Sequence, residues 1–325
     1  MKTRNIPLWI SVAATGFLLL GFGSPSRNWA DEVTPADKAA YLAALRDAAV
    51  SESWEISRAL IAVVPAWDPV NDERLKGSSL IWEGEPGKSR VLIAAFMSRD
   101  SYVRYYQANL EAGSPEYILS KSLWVTVSPE LQNYFRSGLE RRLKWIPTAK
   151  RVKQLLGLHP AYDYEVIVEM FADPADLFRP SADPEITDHE AEAALPPGDP
   201  GAVFSAERIG EWTFPRDQNP FLALRTDVFF KDSKWSPAQT FKEWYSDRAG
   251  TIYAAGDEND PSTWGWPWTR LGYTYDWGNS PDHVGLSEFI LRVDPERNGG
   301  EAVVRLVRAI DAASLAWIWY FAGTI

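Results

Sequence analysis

The spacing of apolar residues changes along this chain, and each change marks an element. A helix is predicted from Pro35 to Val50, where Thr34 can cap, Pro35 takes the first helical position and Asp37 sits in the first turn. Between Leu80 and Met97 the spacing becomes strand-like, with Leu80 to Glu83 and Arg90 to Phe96 flanking Pro86-Gly87-Lys88 as a hairpin. Leu123 to Val127 reads as another strand. Ser128-Pro129-Glu130 then caps a helix that carries Leu131, Phe135, Leu139 and Leu143 on one face.

A second helix follows Pro147-Thr148 and ends at Gly157, placed as a left-handed cap. Tyr164 to Phe171 is a strand, and Asp173-Pro174-Ala175-Asp176 starts a further helical turn. Ser236-Pro237-Ala238-Gln239 has capping-box spacing ahead of Phe241, Trp244 and Tyr245. Val284 to Val293 is a strand. Residues Glu301 to Phe321 read as a closing helix with Val303, Leu306, Val307, Ile310, Ser314, Trp317 and Phe321 on one face. Strands and helices are interspersed without a repeat or a Gly-rich phosphate loop. The expected class is therefore α+β: a single globular domain with a mixed or antiparallel sheet and several packed helices.

The N-terminus has a different character. Lys2 and Arg4 precede an apolar stretch from Ile6 to Leu20 that is too short and too Gly-interrupted for a membrane span, so residues 1–30 read as a secretory signal. The expected cut follows Ala30, although Asn28 departs from the small-x-small pattern. The mature chain, 31–325, is then an exported periplasmic or secreted protein, touching membrane only through the N-terminal segment if that segment is retained. Pro- and Gly-rich residues 195–201 mark a possible subdomain boundary.

Composition narrows the chemistry. The chain has 325 residues and no cysteine, which excludes disulfides, thiolate metal sites and Cys nucleophiles. Its net charge of −11 argues against a nucleic-acid partner and favours neutral or cationic ones. Sixteen tryptophans are well above ordinary usage.

Many of these rings fall between Trp264 and Gly278. In an extended chain Trp264, Trp266 and Trp268 project to one side and, after a shift near Gly272, so do Tyr273, Tyr275 and Trp277. Flat rings beside glycine stack on sugars or other planar apolar ligands, and Arg270 and Asp276 can add directional hydrogen bonds. A small molecule or glycan bound through Trp266, Trp268, Arg270, Tyr273, Tyr275 and Trp277 is one reading. An ordinary aromatic core is the other, and carries more weight.

Asp183, Asp188, His189 and Glu190 form an acidic stretch whose residue types can ligate a divalent cation, although the spacing matches neither a calcium loop nor a helical zinc motif. A solvated loop is the simpler reading, and no cofactor is required. Arg136, Arg141, Arg142, Lys144, Lys150, Arg151 and Lys153 form a basic run that can bind phosphate or, more simply, face the acidic stretch 173–199. A serine-hydrolase elbow is excluded around Ser287, because Phe289 stands where Gly is needed. A hydrolase of envelope polymers needs only two carboxyls, and Asp188, Glu190, Asp276 and Glu288 are the weak candidates for a catalytic pair. A structural or partner-binding envelope protein, presenting 301–321, is the third possibility.

The stretches Asp176 to Pro180, Asp183 to Glu190, Pro267 to Gly278 and Val284 to Phe289 resemble an uncharacterised family of exported bacterial proteins of unknown function, common in cyanobacteria. The resemblance implies export and one shared domain, and carries no activity or catalytic residue. Members often contain cysteines; this chain has none, so no disulfide carries over.

Overall fold

A computed structural model describes residues 33–63, 80–113, 115–136, 146–182, 184, 186–191, 229–230, 239–279, 281–292 and 302–323. Residues 1–30, read above as a signal, Asp183 and residues 195–201 lie outside them.

The architecture is α+β around a seven-stranded sheet in which every pairing is antiparallel. The strands are β1 (Val91–Met97), β2 (Glu116–Leu119), β3 (Leu123–Val127), β4 (Val166–Ala172), β5 (Leu177–Phe178), β10 (Phe289–Leu291) and β11 (Ala302–Asp311), in the order β2-β11-β4-β1-β3-β10-β5. Two small ribbons accompany it: β6 (Phe229–Phe230) with β7 (Gln239–Thr240), and β8 (Tyr273–Tyr275) with β9 (Val284–Ser287).

The unbroken apolar run of β1 explains its central place. A strand whose residues are apolar at every position must bury both faces, and all seven residues of β1 are buried. Val91, Ile93, Ala95 and Met97 enter the largest core cluster, whereas Ala94 and Phe96 enter a second one. That second cluster is roofed by α4 (Ser128–Arg136), α5 (Ala149–Leu155) and α7 (Leu315–Ala322). One acid, Glu169 of β4, points into it fully buried, bonded by the Ser128 hydroxyl and, at 2.6 Å, by Arg308 Nε. Burying a charge demands such partners.

α1 (Pro35–Ala48) begins where its cap signal sits: Thr34 Oγ1 accepts from the Asp37 amide at 3.1 Å. Tyr41, Leu42, Leu45 and Ala48 then pack on Trp264, Tyr275 and Trp277. α2 (Arg99–Tyr102) runs through a π-turn, Val103–Gln107, into α3 (Ala108–Glu111), and α6 (Phe241–Thr251) leads into the aromatic segment.

The expected closing helix divides into two elements. Residues 302–311 form β11, paired with both β2 and β4, and only Leu315–Ala322 is helical. A β-bulge between Leu306 and Arg308 is the cause. Before it, even-numbered residues Ala302, Val304 and Leu306 face the main cluster; after it, Ile310 faces the other. One inserted residue thus turned a period of two into the three-to-four spacing of a helix.

Candidate functional site

The aromatic segment is seated by its glycines and by main-chain bonds. The Gly265 amide donates to Ala254 O at 2.7 Å, and the Gly265 carbonyl accepts from Tyr41 Oη at 2.8 Å. From there most of the rings turn inward. Trp268, Tyr273 and Trp277 are buried, and their polar atoms are engaged: Trp268 Nε1 donates to Pro180 O at 2.8 Å, Trp277 Nε1 to Leu158 O at 3.0 Å, and Tyr273 Oη to Glu55 O at 3.0 Å. Rings held this way offer no exposed stacking platform, and the core reading accounts for Tyr273 and Trp277.

Arg270 is a structural latch. It adopts a left-handed backbone (φ 61°), is buried, and donates through Nη2 to Ala49 O at 2.9 Å and to Ser51 Oγ at 3.1 Å. A cation at the end of α1 satisfies its orphan carbonyls and complements its dipole.

Trp266, Trp268 and Tyr275 do more than fill core. They meet Phe96 of β1 and Trp124 of β3 around a cavity of about 80 Å³, closed on another side by the loop 156–158 after α5. That is several times the roughly 10–15 Å³ that hold one water. Gly157 lets this loop close: at φ 65° its hydrogen stands where a Cβ would lie 3.2 Å from Tyr275 O.

Glu288, between β9 and β10, is the one carboxylate on the lining. Its Oε2 has no hydrogen-bond partner. Part of the side chain borders the cavity, yet protein encloses it closely enough that loss of water pushes its pKa well above the usual carboxylate range, against a weaker opposing field from Arg248. Arg248 lies with its guanidinium carbon 5.7 Å from the Trp124 ring centre and is not on the lining. The two threonines on the lining are bonded: Thr274 Oγ1 donates to Leu155 O at 2.7 Å, and Thr126 Oγ1 to Glu130 Oε2 at 3.3 Å.

Glu130 stands behind Thr126. It accepts from the Ser287 amide at 3.0 Å and the Ser287 hydroxyl at 2.9 Å. Burial outweighs these bonds and pushes its pKa up to about 7.

The other acidic candidates lie elsewhere. Asp276 is fully buried in a bidentate pair with Arg151 (2.6 and 2.8 Å) and also accepts from Tyr134 Oη and the Gly278 amide. Glu190 meets Arg58 at the surface at 3.0 Å. Asp188 Oδ1 accepts from the Glu190 amide, and His189 Nδ1 lies 2.7 Å from Leu60 O. Asp188, Glu190 and Asp276 are absent from the cavity lining.

Among the described residues a different trio, Asp47, Glu55 and His283, brings its ligand-type atoms within 4.8 Å of one another. His283 stacks on Tyr275 (4.6 Å, 7°) and approaches Glu55 Oε1 at 3.2 Å, while Tyr275 Oη donates to Asp47 at 2.7 Å. The bond to Glu55 is the largest of the influences that raise the His283 pKa. The raised pKa favours the protonated imidazole, whose single charge offsets one of the two carboxylates.

Arg141, Arg142 and Lys144 of the basic run, and residues 192–199 of the acidic stretch, lie outside the described residues, and the described members of the run have separate partners. Arg136 caps α7 at Tyr320 O and Phe321 O, Lys150 pairs with Asp37, and Lys153 donates to Pro160 O and Tyr162 O. Trp317 and Phe321 are buried, so α7 packs them on its own core; Leu315, Ile318 and Trp319 remain exposed.

Sequence reasoning missed Phe96 and Trp124 as lining residues. Trp124 carried a usable signal: a large ring alternating with the buried Leu123 and Val125 must face the opposite side of the sheet. No described helix is long and apolar enough to cross a membrane. Comparison with protein-family models, with curated proteins and with solved structures finds no match to this chain.

Proposed function

We propose that this is an exported protein that binds a compact small molecule in the cavity beneath its aromatic segment. The observation that carries the reading is the convergence of Phe96, Trp124, Trp266, Trp268 and Tyr275 on one cavity whose single carboxylate is Glu288. Ligand sites are mostly apolar concavities with a few placed polar groups, and this cavity has that composition. Its size suits one small ring or branched group, so if the ligand is glycan-like, a single ring is bound and not an extended chain. Export rests on the basic, then apolar, N-terminal segment, and agrees with the resemblance to exported bacterial proteins.

Among the described residues the lining holds no second carboxylate for hydrolysis, which favours binding over cleavage. The test is a screen of small ring compounds and monosaccharides by Trp fluorescence and thermal unfolding. Two variants accompany it: Ala94→Leu, which fills the cavity from β1, and Trp266→Ala, which removes a wall. Hits that stabilise the wild type and fail with both folded variants support the site. Hits unaffected by either variant would place the ligand elsewhere.

A further inference from the structure

The ligand class follows from the one carboxylate on the cavity lining, and this inference rests on the binding reading above. We propose that the cavity takes a compact primary ammonium group, with Glu288 Oε2 as the acceptor for its N–H and the surrounding indole rings as its cation-binding walls.

Three observations meet here. Glu288 Oε2 is enclosed and lacks a donor, although a buried acceptor is normally bonded. A ligand that supplies an N–H completes it. The walls are Trp124, Trp266 and Trp268, and indole faces attract cations within about 6 Å of the ring centre, more strongly when water is excluded. Trp124 already shows this chemistry, with the Arg248 guanidinium over its ring. Finally, a net charge of −11 raises the local concentration of cations.

Neutral donors suit the site less well. An ionised carboxylate in these surroundings needs a counter-charge, and the guanidinium of Arg248 stands off the lining. A neutral hydroxyl leaves Glu288 holding its own proton. An ammonium ion supplies both the missing hydrogen bond and the missing charge, because a charge-assisted bond is about twice as strong as a neutral one. Binding then ionises Glu288: its carboxyl proton leaves to solvent and the ammonium keeps its own. The titratable groups facing Glu288 are Arg248 of α6 and Tyr253 beyond it. Neither changes charge between pH 5 and 8, but Glu130, behind Thr126, titrates near 7 and the His283 imidazole stacks on Tyr275, so proton release is assigned to Glu288 only where Glu288→Gln abolishes it.

The experiment compares a matched pair of probes, tert-butylammonium and tert-butanol, which share shape and differ in charge. Both are titrated calorimetrically into residues 31–325 at pH 5.5 and pH 8, in buffers of different ionisation enthalpy, using the wild type, Glu288→Gln and Ala94→Leu. The proposal expects the ammonium to bind at least tenfold more tightly than the alcohol at pH 8 and to lose at least tenfold in affinity at pH 5.5. It also expects proton release that Glu288→Gln abolishes, together with the preference over the alcohol. Equal or tighter binding of the alcohol, blocked by Ala94→Leu, would overturn the ammonium assignment and leave the cavity reading standing. Binding of neither probe would overturn both. Should Glu288→Gln fail to fold, the ammonium-to-alcohol ratio in the wild type, its loss at pH 5.5 and the effect of Ala94→Leu decide the matter without it.

Discussion

Arg151→Met should cost this protein about 3–5 kcal/mol. The side chains of Arg151 and Asp276 are 11% and 1% exposed, and two short bonds join them. A hydrogen bond to a charged group contributes about 1.5–3 kcal/mol, and two give about 3–6 kcal/mol, overlapping the roughly 3–5 kcal/mol lost on removing one partner of a buried pair. The loss is large because Asp276 keeps its burial and loses its counter-charge; the Gly278 amide and Tyr134 hydroxyl cannot replace a guanidinium. Urea unfolding at constant slope measures the effect as a shift in midpoint. Asp276→Asn, which keeps an acceptor for Gly278, should recover at least about 2 kcal/mol when combined with Arg151→Met, since the double variant buries no unpaired charge. The loss should persist in 1 M salt, whereas an exposed pair would be screened. A cost below about 1 kcal/mol would refute the reasoning. It would class the pair with surface bridges and return Asp276 to the pool of carboxylates available for chemistry.

Two further substitutions test the surroundings of the cavity. Glu130, whose pKa is about 7 in the folded protein, binds its proton more tightly there than in the unfolded chain. Its contribution to stability is therefore full below about pH 4.5, declines as pH rises, and is gone above pH 7, a change on the order of 3 kcal/mol. Glu130→Gln should flatten that part of the pH–stability curve; an unchanged slope between pH 4.5 and 7 would show that Glu130 stays ionised. Gly265→Ala places a Cβ 1.7 Å from Ile252 O, so backbone must move. A loss of about 3 kcal/mol or more is expected in urea unfolding, and a loss under 1 kcal/mol would mean the aromatic segment is not clamped there.

The elements read correctly from sequence are those whose signals are local. α1 announced itself through Thr34, Pro35 and Asp37, and the structure uses the Thr34 cap. β1 announced itself through seven apolar residues in a row, which fit only a strand buried on both faces. Failure came where a local pattern was ambiguous. In β11 the bulge after Leu306 exchanged the two faces of the strand, and a helical period appeared in a chain with no helix there. No window on residues 301–321 contains β2 and β4, whose pairing decides the matter.

The same logic separates the four acidic candidates. In sequence Asp276 and Glu288 looked alike, each an acid beside aromatic residues. Their environments are set by residues more than a hundred positions away for Asp276, which gains Arg151 and Tyr134, whereas no described residue bonds Glu288 Oε2. The aromatic segment divides in the same way. Its density was legible, but the direction of each ring was fixed by distant carbonyls such as Pro180 O and Leu158 O. An indole whose N–H is bonded and whose faces are covered belongs to the core, as with Trp277; one that also borders empty space, as Trp268 does beside Trp124, keeps an unused face. Function is therefore to be sought among the groups this fold leaves incomplete. In the aromatic cavity these are a carboxylate oxygen without a donor and the ring faces around it, and a ligand that completes one without the other would leave part of the site unexplained.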